Sequence, residues 1–155
     1  MRKPLKLYVF FLALTLVLSL GLSEVVLAAD VILNDLQSKP ANISAVTGKP
    51  SILFFWTTWC PYCRSELKEL NRMRAQIEKD GVDIFAVNVG EEGAKVGDFI
   101  NKYALNMRVL LDRDGRAAQN YAVRGVPTYI FINRYGQVTA TEHRLPDNYM
   151  DILSQ

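Results

Sequence analysis

SILFFWTTWCPYCRSELKELNRMRAQIEK, Ser51 to Lys79, changes its pattern partway along, and that change decides the fold. Ser51–Trp56 is short, β-branched and aromatic and follows Lys49-Pro50, which describes a buried strand rather than a helix. Beyond Cys63 the apolar residues Leu67, Leu70, Met73 and Ile77 return at steps of three and four, while Arg64, Lys68, Arg72 and Glu78 fall elsewhere. That spacing predicts an amphipathic helix with one buried face. Strand, Cys-Pro-Tyr-Cys and helix therefore follow one another, and both cysteines of the chain lie at the junction.

Only a thiolate attacks a disulfide, and a cysteine of ordinary pKa, near 8.5, is only about 3% ionised at pH 7. The start of a helix corrects this, because its unpaired N–H groups and partial positive charge favour an anion placed there. Cys60 stands at that end, with Pro61 suited to the first helical turn, and is expected to be the attacking thiol. Cys63, one turn on and more enclosed, can attack the same sulfur, close a small ring and expel whatever Cys60 has captured. Two plainer readings compete. A static bridge over so short a loop would remove little chain entropy. A tetrahedral zinc site wants four ligands, and the chain adds only His143 to the two cysteines.

Met1–Lys6 carries Arg2, Lys3 and Lys6, and Leu7–Leu22 is an apolar run interrupted only by Thr15, Ser19 and Gly21. This is the pattern of an export segment, long for a signal-peptide core and just short of a comfortable membrane span. Residues 1–28 thus suit either a cleaved signal, with Val26 and Ala28 as the small-residue site, or a retained anchor. Either way the basic flank stays inside, and residues 29–155 are delivered to the periplasm or the outer face of the cytoplasmic membrane. A dithiol there needs a dedicated electron donor or acceptor.

Lys and Arg number 18 against 16 Asp and Glu in the whole chain, and 15 against 15 once residues 1–28 are set aside. The basic excess belongs to targeting, and a neutral domain without a basic cluster makes no electrostatic case for nucleic acid. Residues 29–155 are enough for one domain with a real core and too few for two.

Val31–Leu36 and Asn42–Val46, around Ser38-Lys39-Pro40, read as an N-terminal β-hairpin laid against the sheet. The helix from Pro61 ends near Lys79-Asp80-Gly81, and Val82–Val89 follows as a long apolar strand. Ala94–Tyr103 reads as a helix with Val96, Phe99, Ile100 and Tyr103 inward, Val109–Leu111 as a strand, Asp112–Gly115 as a turn and Ala117–Tyr121 as a short helix. Tyr129–Ile132 and Gln137–Ala140 form an antiparallel hairpin across Asn133-Arg134-Tyr135-Gly136, and Asn148–Leu153 a closing helix. Alternation of strand and helix predicts an α/β class with helices on both faces of one sheet.

Three stretches in order, FWTTWCPYC (residues 55–63), VDIFAVNVG (82–90) with Glu91 after it, and LLDRDGRAAQNYAVRGVPTYIFINRYGQV (110–138), resemble the thioredoxin superfamily. The resemblance is specifically to exported thiol-disulfide oxidoreductases of TlpA and ResA type, and it covers nearly everything after Asp30. It implies a thioredoxin-like fold with a central mixed sheet. It also implies that Val126-Pro127 is cis and lies against the dithiol, with the Val126 main chain free to pair with an extended substrate. Thioredoxins keep a buried Asp six residues before the first cysteine; Phe54 stands there in this chain and cannot manage a proton. Glu66 matches a carboxylate that ResA-like proteins place beside the dithiol, and Glu91 matches a second. Both are expected to act as general acid and base, with pKa values raised by desolvation and like charge.

The function implied is an extracytoplasmic thiol-disulfide oxidoreductase that reduces disulfides of client proteins. Apocytochrome c, with its CxxCH haem site, is the leading client, and a membrane thiol reductant of CcdA or DsbD type is the donor. No cofactor beyond the Cys60–Cys63 pair is called for. Trp59 and Tyr62 would line an apolar rim on which a client rests, together with Trp56, which suits the core equally well. Pro61-Tyr62 departs from the Glu-Pro common in ResA-like members and is similar to glutaredoxins, leaving the redox poise open between roughly −270 and −120 mV. General oxidative folding is the rival within this class. Outside it stands an exported Cu(I) carrier using Cys60, Cys63 and His143, although such carriers space their cysteines by three residues. His143 otherwise reads as a surface residue near Glu142 and Arg144. A peroxidase is disfavoured, since the Pro-x-x-x-Thr-x-x-Cys pattern is missing.

Overall fold

The computed structural model describes residues 31–43 and 48–155. The expected export segment lies outside the described residues, as does most of the extended segment expected at Asn42–Val46. The chain runs through β1 (Ile32–Asp35), β2 (Pro40–Asn42), β3 (Ser51–Trp56), α1 (Pro61–Lys79), β4 (Asp83–Val89) and α2 (Gly93–Lys102). It continues through β5 (Val109–Asp112), α3 (Arg116–Asn120), β6 (Thr128–Ile132), β7 (Val138–Glu142) and α4 (Tyr149–Leu153). The hairpin forms as expected, but its second strand begins earlier, at Pro40: the Asp35 carboxylate accepts from the amides of Gln37 and Lys39 and tightens the turn.

One mixed sheet holds all seven strands in the order β2-β1-β5-β4-β3-β6-β7. β3 lies parallel to β4 and β4 to β5, whereas β6, β7, β1 and β2 pair antiparallel with their neighbours. Side chains along β3 alternate between two cores, as the strand period requires. Ile52, Phe54 and Trp56 join Leu67, Leu70 and Ile77 of α1, Val96 of α2, and Tyr149 and Leu153 of α4 on one face. Leu53 and Phe55 join Val87, Leu110, Ile130, Ile132 and the α3 residues Ala117 and Ala118 on the other. A strand covered on both faces explains why Ser51–Trp56 is apolar throughout.

The helix α1 is fixed at each end by local chemistry. At its start Cys60 takes the N-cap position in an extended conformation, with Pro61 in the first turn. At its end Gly81 adopts φ 80° and its amide donates to the Glu78 carbonyl, while the Val82 amide donates to Ile77. These two bonds are a Schellman closure, which a glycine accommodates without a Cβ penalty. The helix therefore stops in time for Asp83 to pair with Ser51 and begin the parallel unit.

Candidate active site

Cys60 and Cys63 are joined as a disulfide where β3 hands over to α1. Cys60 is 4% exposed and Cys63 fully buried, so the order of access is the one expected, by a narrow margin. The Cys63 amide donates to Cys60 Sγ at 3.1 Å, which makes the sulfur itself the cap of the helix. A thiolate at this position gains that N–H and the helix dipole together. Carbonyl oxygen of Val126 stands 3.8 Å from the same sulfur, and the Val126-Pro127 peptide bond is cis, as the resemblance implied.

The two tryptophans beside the dithiol part company. Trp56 is fully buried and packs on Phe99 with ring centroids 5.3 Å apart, so it belongs to the core. Trp59 and Tyr62 are 67% and 77% exposed, and they are the apolar surface flanking Cys60. Strand parity separates them: Trp56 follows Ile52 and Phe54 on one face, while Trp59 lies beyond the strand.

Glu66 sits one turn after Cys63 on α1. Its Oε2 accepts from the Tyr129 hydroxyl at 3.1 Å and from the Leu145 amide at 3.2 Å. Tyr129 is buried against Phe54, ring centroids 4.5 Å apart. Burial, reinforced by the Glu66 charge, pushes the Tyr129 phenol well above its usual range and keeps it a donor. Phe54, where thioredoxins keep an Asp, thus packs on the ring that holds Glu66. Glu66 also lines a recess of about 470 Å³ with Tyr62, Ser65, Pro127, His143 and Arg144.

Glu91 departs from expectation. It is buried, and its carboxylate accepts from the Thr58 amide (2.6 Å), the Thr58 hydroxyl (2.7 Å) and Asn88 Nδ2 (2.8 Å), with Lys95 Nζ at 2.7 Å. Burial works to raise its pKa, but the donors from Lys95, Asn88 and Thr58 outweigh it and bring the group down to about 2. A carboxylate held charged at this level has no proton to trade near neutrality. The expected acid–base character is replaced by a clamp on the loop two residues before Cys60.

His143 is exposed, as expected, and its Nδ1 lies 2.8 Å from the Pro127 carbonyl oxygen. Among the described residues no three His, Cys, Asp or Glu side chains gather to hold a metal. Thr58 and Tyr129 escaped the sequence reading as site residues because each acts through a partner far along the chain, and Asn88 was missed although its partner Glu91 is only three residues on. The Asn88-x-x-Glu91 spacing at a strand end is the one local trace of this arrangement.

Residues 26–141 match the model of the AhpC/TSA family. The chain is 31% identical to the thiol-disulfide oxidoreductase ResA of Halalkalibacterium halodurans over 131 residues, covering 81% of this chain and 74% of that protein. It is 35% identical to ResA of Bacillus subtilis over 132 residues, covering 81% and 73%. Among solved structures, StoA from Bacillus subtilis superposes with a TM-score of 0.70 at 24% identity, covering 83% of this chain and 98% of that one. A secreted Mycobacterium tuberculosis disulfide oxidoreductase gives 0.69 at 24%, covering 82% and 96%. These two speak for the fold alone. The sequence lacks the peroxiredoxin cysteine pattern, so peroxidase chemistry does not come with the family's name. A disulfide-bonded cysteine pair at a helix start and curated relatives named thiol-disulfide oxidoreductases converge: the chain belongs to the AhpC/TSA family of the thioredoxin superfamily and is a thiol-disulfide oxidoreductase of ResA type.

Proposed function

We propose that this oxidoreductase works outside the cytoplasm as a reductant of client disulfides, with apocytochrome c as its client and a membrane thiol reductant of CcdA or DsbD type as its electron source. The observation that carries this reading is the Cys63 amide donating to Cys60 Sγ at the helix start, which favours a thiolate on the outer of the two sulfurs. The export pattern of residues 1–28 supports the location: retained, it would anchor the domain at the outer face of the cytoplasmic membrane, and cleaved, it would release the domain into the periplasm. Among the described residues no helix is long and apolar enough to cross a membrane.

In the reduced protein Cys60 thiolate attacks one sulfur of the client disulfide. A mixed disulfide forms, and the client's other sulfur leaves as a thiolate and takes up a proton. Cys63 then loses its proton and attacks Cys60 Sγ, forming the Cys60–Cys63 bond and releasing the second client thiol. Two electrons pass from protein to client, and the membrane dithiol restores them. Glu66, beside Pro127 and Tyr62 in the recess, is the group suited to take and return the proton. Trp59, Tyr62, Val126 and Pro127 form the seat, an extended client pairing with the Val126 main chain. The dithiol is its own redox group and needs no added cofactor.

Cys63→Ser tests the scheme. Without the resolving thiol, mixed disulfides accumulate on Cys60, and mass spectrometry of what is trapped in the native host identifies client and donor together. Cys60→Ser captures far less. Equal capture by the two variants would sink the assignment of roles, and a reduction potential above about −200 mV would turn the reading towards oxidative folding.

A further inference from the structure

Pro127 has no N–H, so its carbonyl is the one backbone group it can offer to a hydrogen bond. That carbonyl oxygen lies 2.8 Å from Nδ1 of His143, the residue that follows β7. A carbonyl can only accept, so the hydrogen belongs to the imidazole: His143 carries it on Nδ1 and donates it to Pro127. The same nitrogen is 3.4 Å from Thr128 Oγ1, whose hydroxyl donates to the Gly125 carbonyl at 2.8 Å. The segment on either side of Val126 is thereby tied at Gly125 and at Pro127. Val126 itself presents its carbonyl 3.8 Å from Cys60 Sγ.

We propose that His143 is a positioning residue of this oxidoreductase: through Nδ1–H it fixes the Pro127 carbonyl and so holds the Val126 main chain beside Cys60 for an extended client. The proposal rests on the reading that clients seat on Val126. Nδ1 keeps its hydrogen whether the ring is neutral or cationic, so the hold survives protonation of the imidazole. A proton-shuttling role would instead belong to Nε2 and would leave its mark on the pH profile.

The test is steady-state reduction of a disulfide-closed Cys-x-x-Cys-His peptide by the whole protein, with dithiothreitol regenerating the dithiol. Loss of one exposed hydrogen bond in His143→Ala raises KM roughly fivefold with a smaller change in kcat. His143→Asn, whose amide nitrogen falls near the place of Nδ1, brings KM back to within about twofold of wild type, whereas His143→Gln, reaching towards Nε2, does not. The pH profile of kcat/KM keeps its shape in all three. Rescue by Gln instead of Asn, or loss of a limb of the profile in His143→Ala, overturns the proposal. Equal KM for His143→Ala and an active wild type overturns the positioning role alone, while a wild type unable to reduce the peptide overturns the client reading and this proposal with it.

Discussion

Glu91 holds four donors on two oxygens, and two of the four come from Thr58, thirty-three residues earlier in the chain. The Cys60 amide reaches back to the Thr57 carbonyl at 3.4 Å, so fixing Thr58 fixes the turn from which the dithiol is presented. The folded pKa of about 2 lies below the ordinary 4.5. The charge therefore stabilises the fold fully above about pH 5, and that contribution disappears as pH falls from 4.5 through 2. Its size is on the order of 3 kcal/mol as an upper figure, since Lys95 is largely solvated. Glu91→Gln, which must turn an amide N–H towards donors, is expected to lose about 2 kcal/mol at pH 7 and to show a shallower decline on acidification. Urea unfolding at pH 7 and pH 3 measures both, and parallel declines of variant and wild type would contradict the clamp.

At the scale of elements, helix ends show how far local sequence reaches. The helix α1 could be read from Cys60-Pro61 to Gly81 because its periodicity, its first-turn proline and its closing glycine are all local. The helix α3 is different. It has Gly115 at the N-cap position, without a side chain to cap it, and the cap comes from Asp112 at the end of β5. Asp112 accepts from the Ala117 amide at 3.0 Å with Oδ1 and from the Ala118 amide at 2.8 Å with Oδ2. Asp112→Ala is expected to leave two buried amides without partners and to cost about 1–3 kcal/mol, read as a fall in the denaturant midpoint with an unchanged slope. Asp112→Asn, keeping one acceptor, should recover part of it; an Asn variant as unstable as the Ala one would contradict the capping role. Trp56 and the two cores were likewise available from strand parity. Glu91 and His143 were not, because their roles depend on Thr58 and Pro127, and no spacing rule links residues so far apart along the chain.

Across the whole molecule, cohesion falls from the centre of the sheet to its margins. β3 pairs with β4 over six positions and with β6 over five, and its Ile52–Trp56 are completely buried. β7 is an outer strand with a shift of register opposite Phe131 and Ile132, and its side chains are exposed or half-buried. Opening β7 uncovers little apolar surface, so it should occur well below the free energy of global unfolding. Native-state hydrogen exchange is expected to give amides of Leu53 and Phe54 the global value and those of Thr139–Thr141 a value at least about 3 kcal/mol lower. Under the proposed positioning role the difference bears on catalysis, because β7 leads into His143, whose Nδ1 lies 2.8 Å from the Pro127 carbonyl oxygen. If clients seat on Val126 as proposed, local opening of this margin is expected to loosen that seat while the dithiol stays anchored to β3 and α1, letting a product leave without disturbing the cysteines. Equal opening free energies in β3 and β7 would contradict this division of the sheet into a rigid redox centre and a yielding seat.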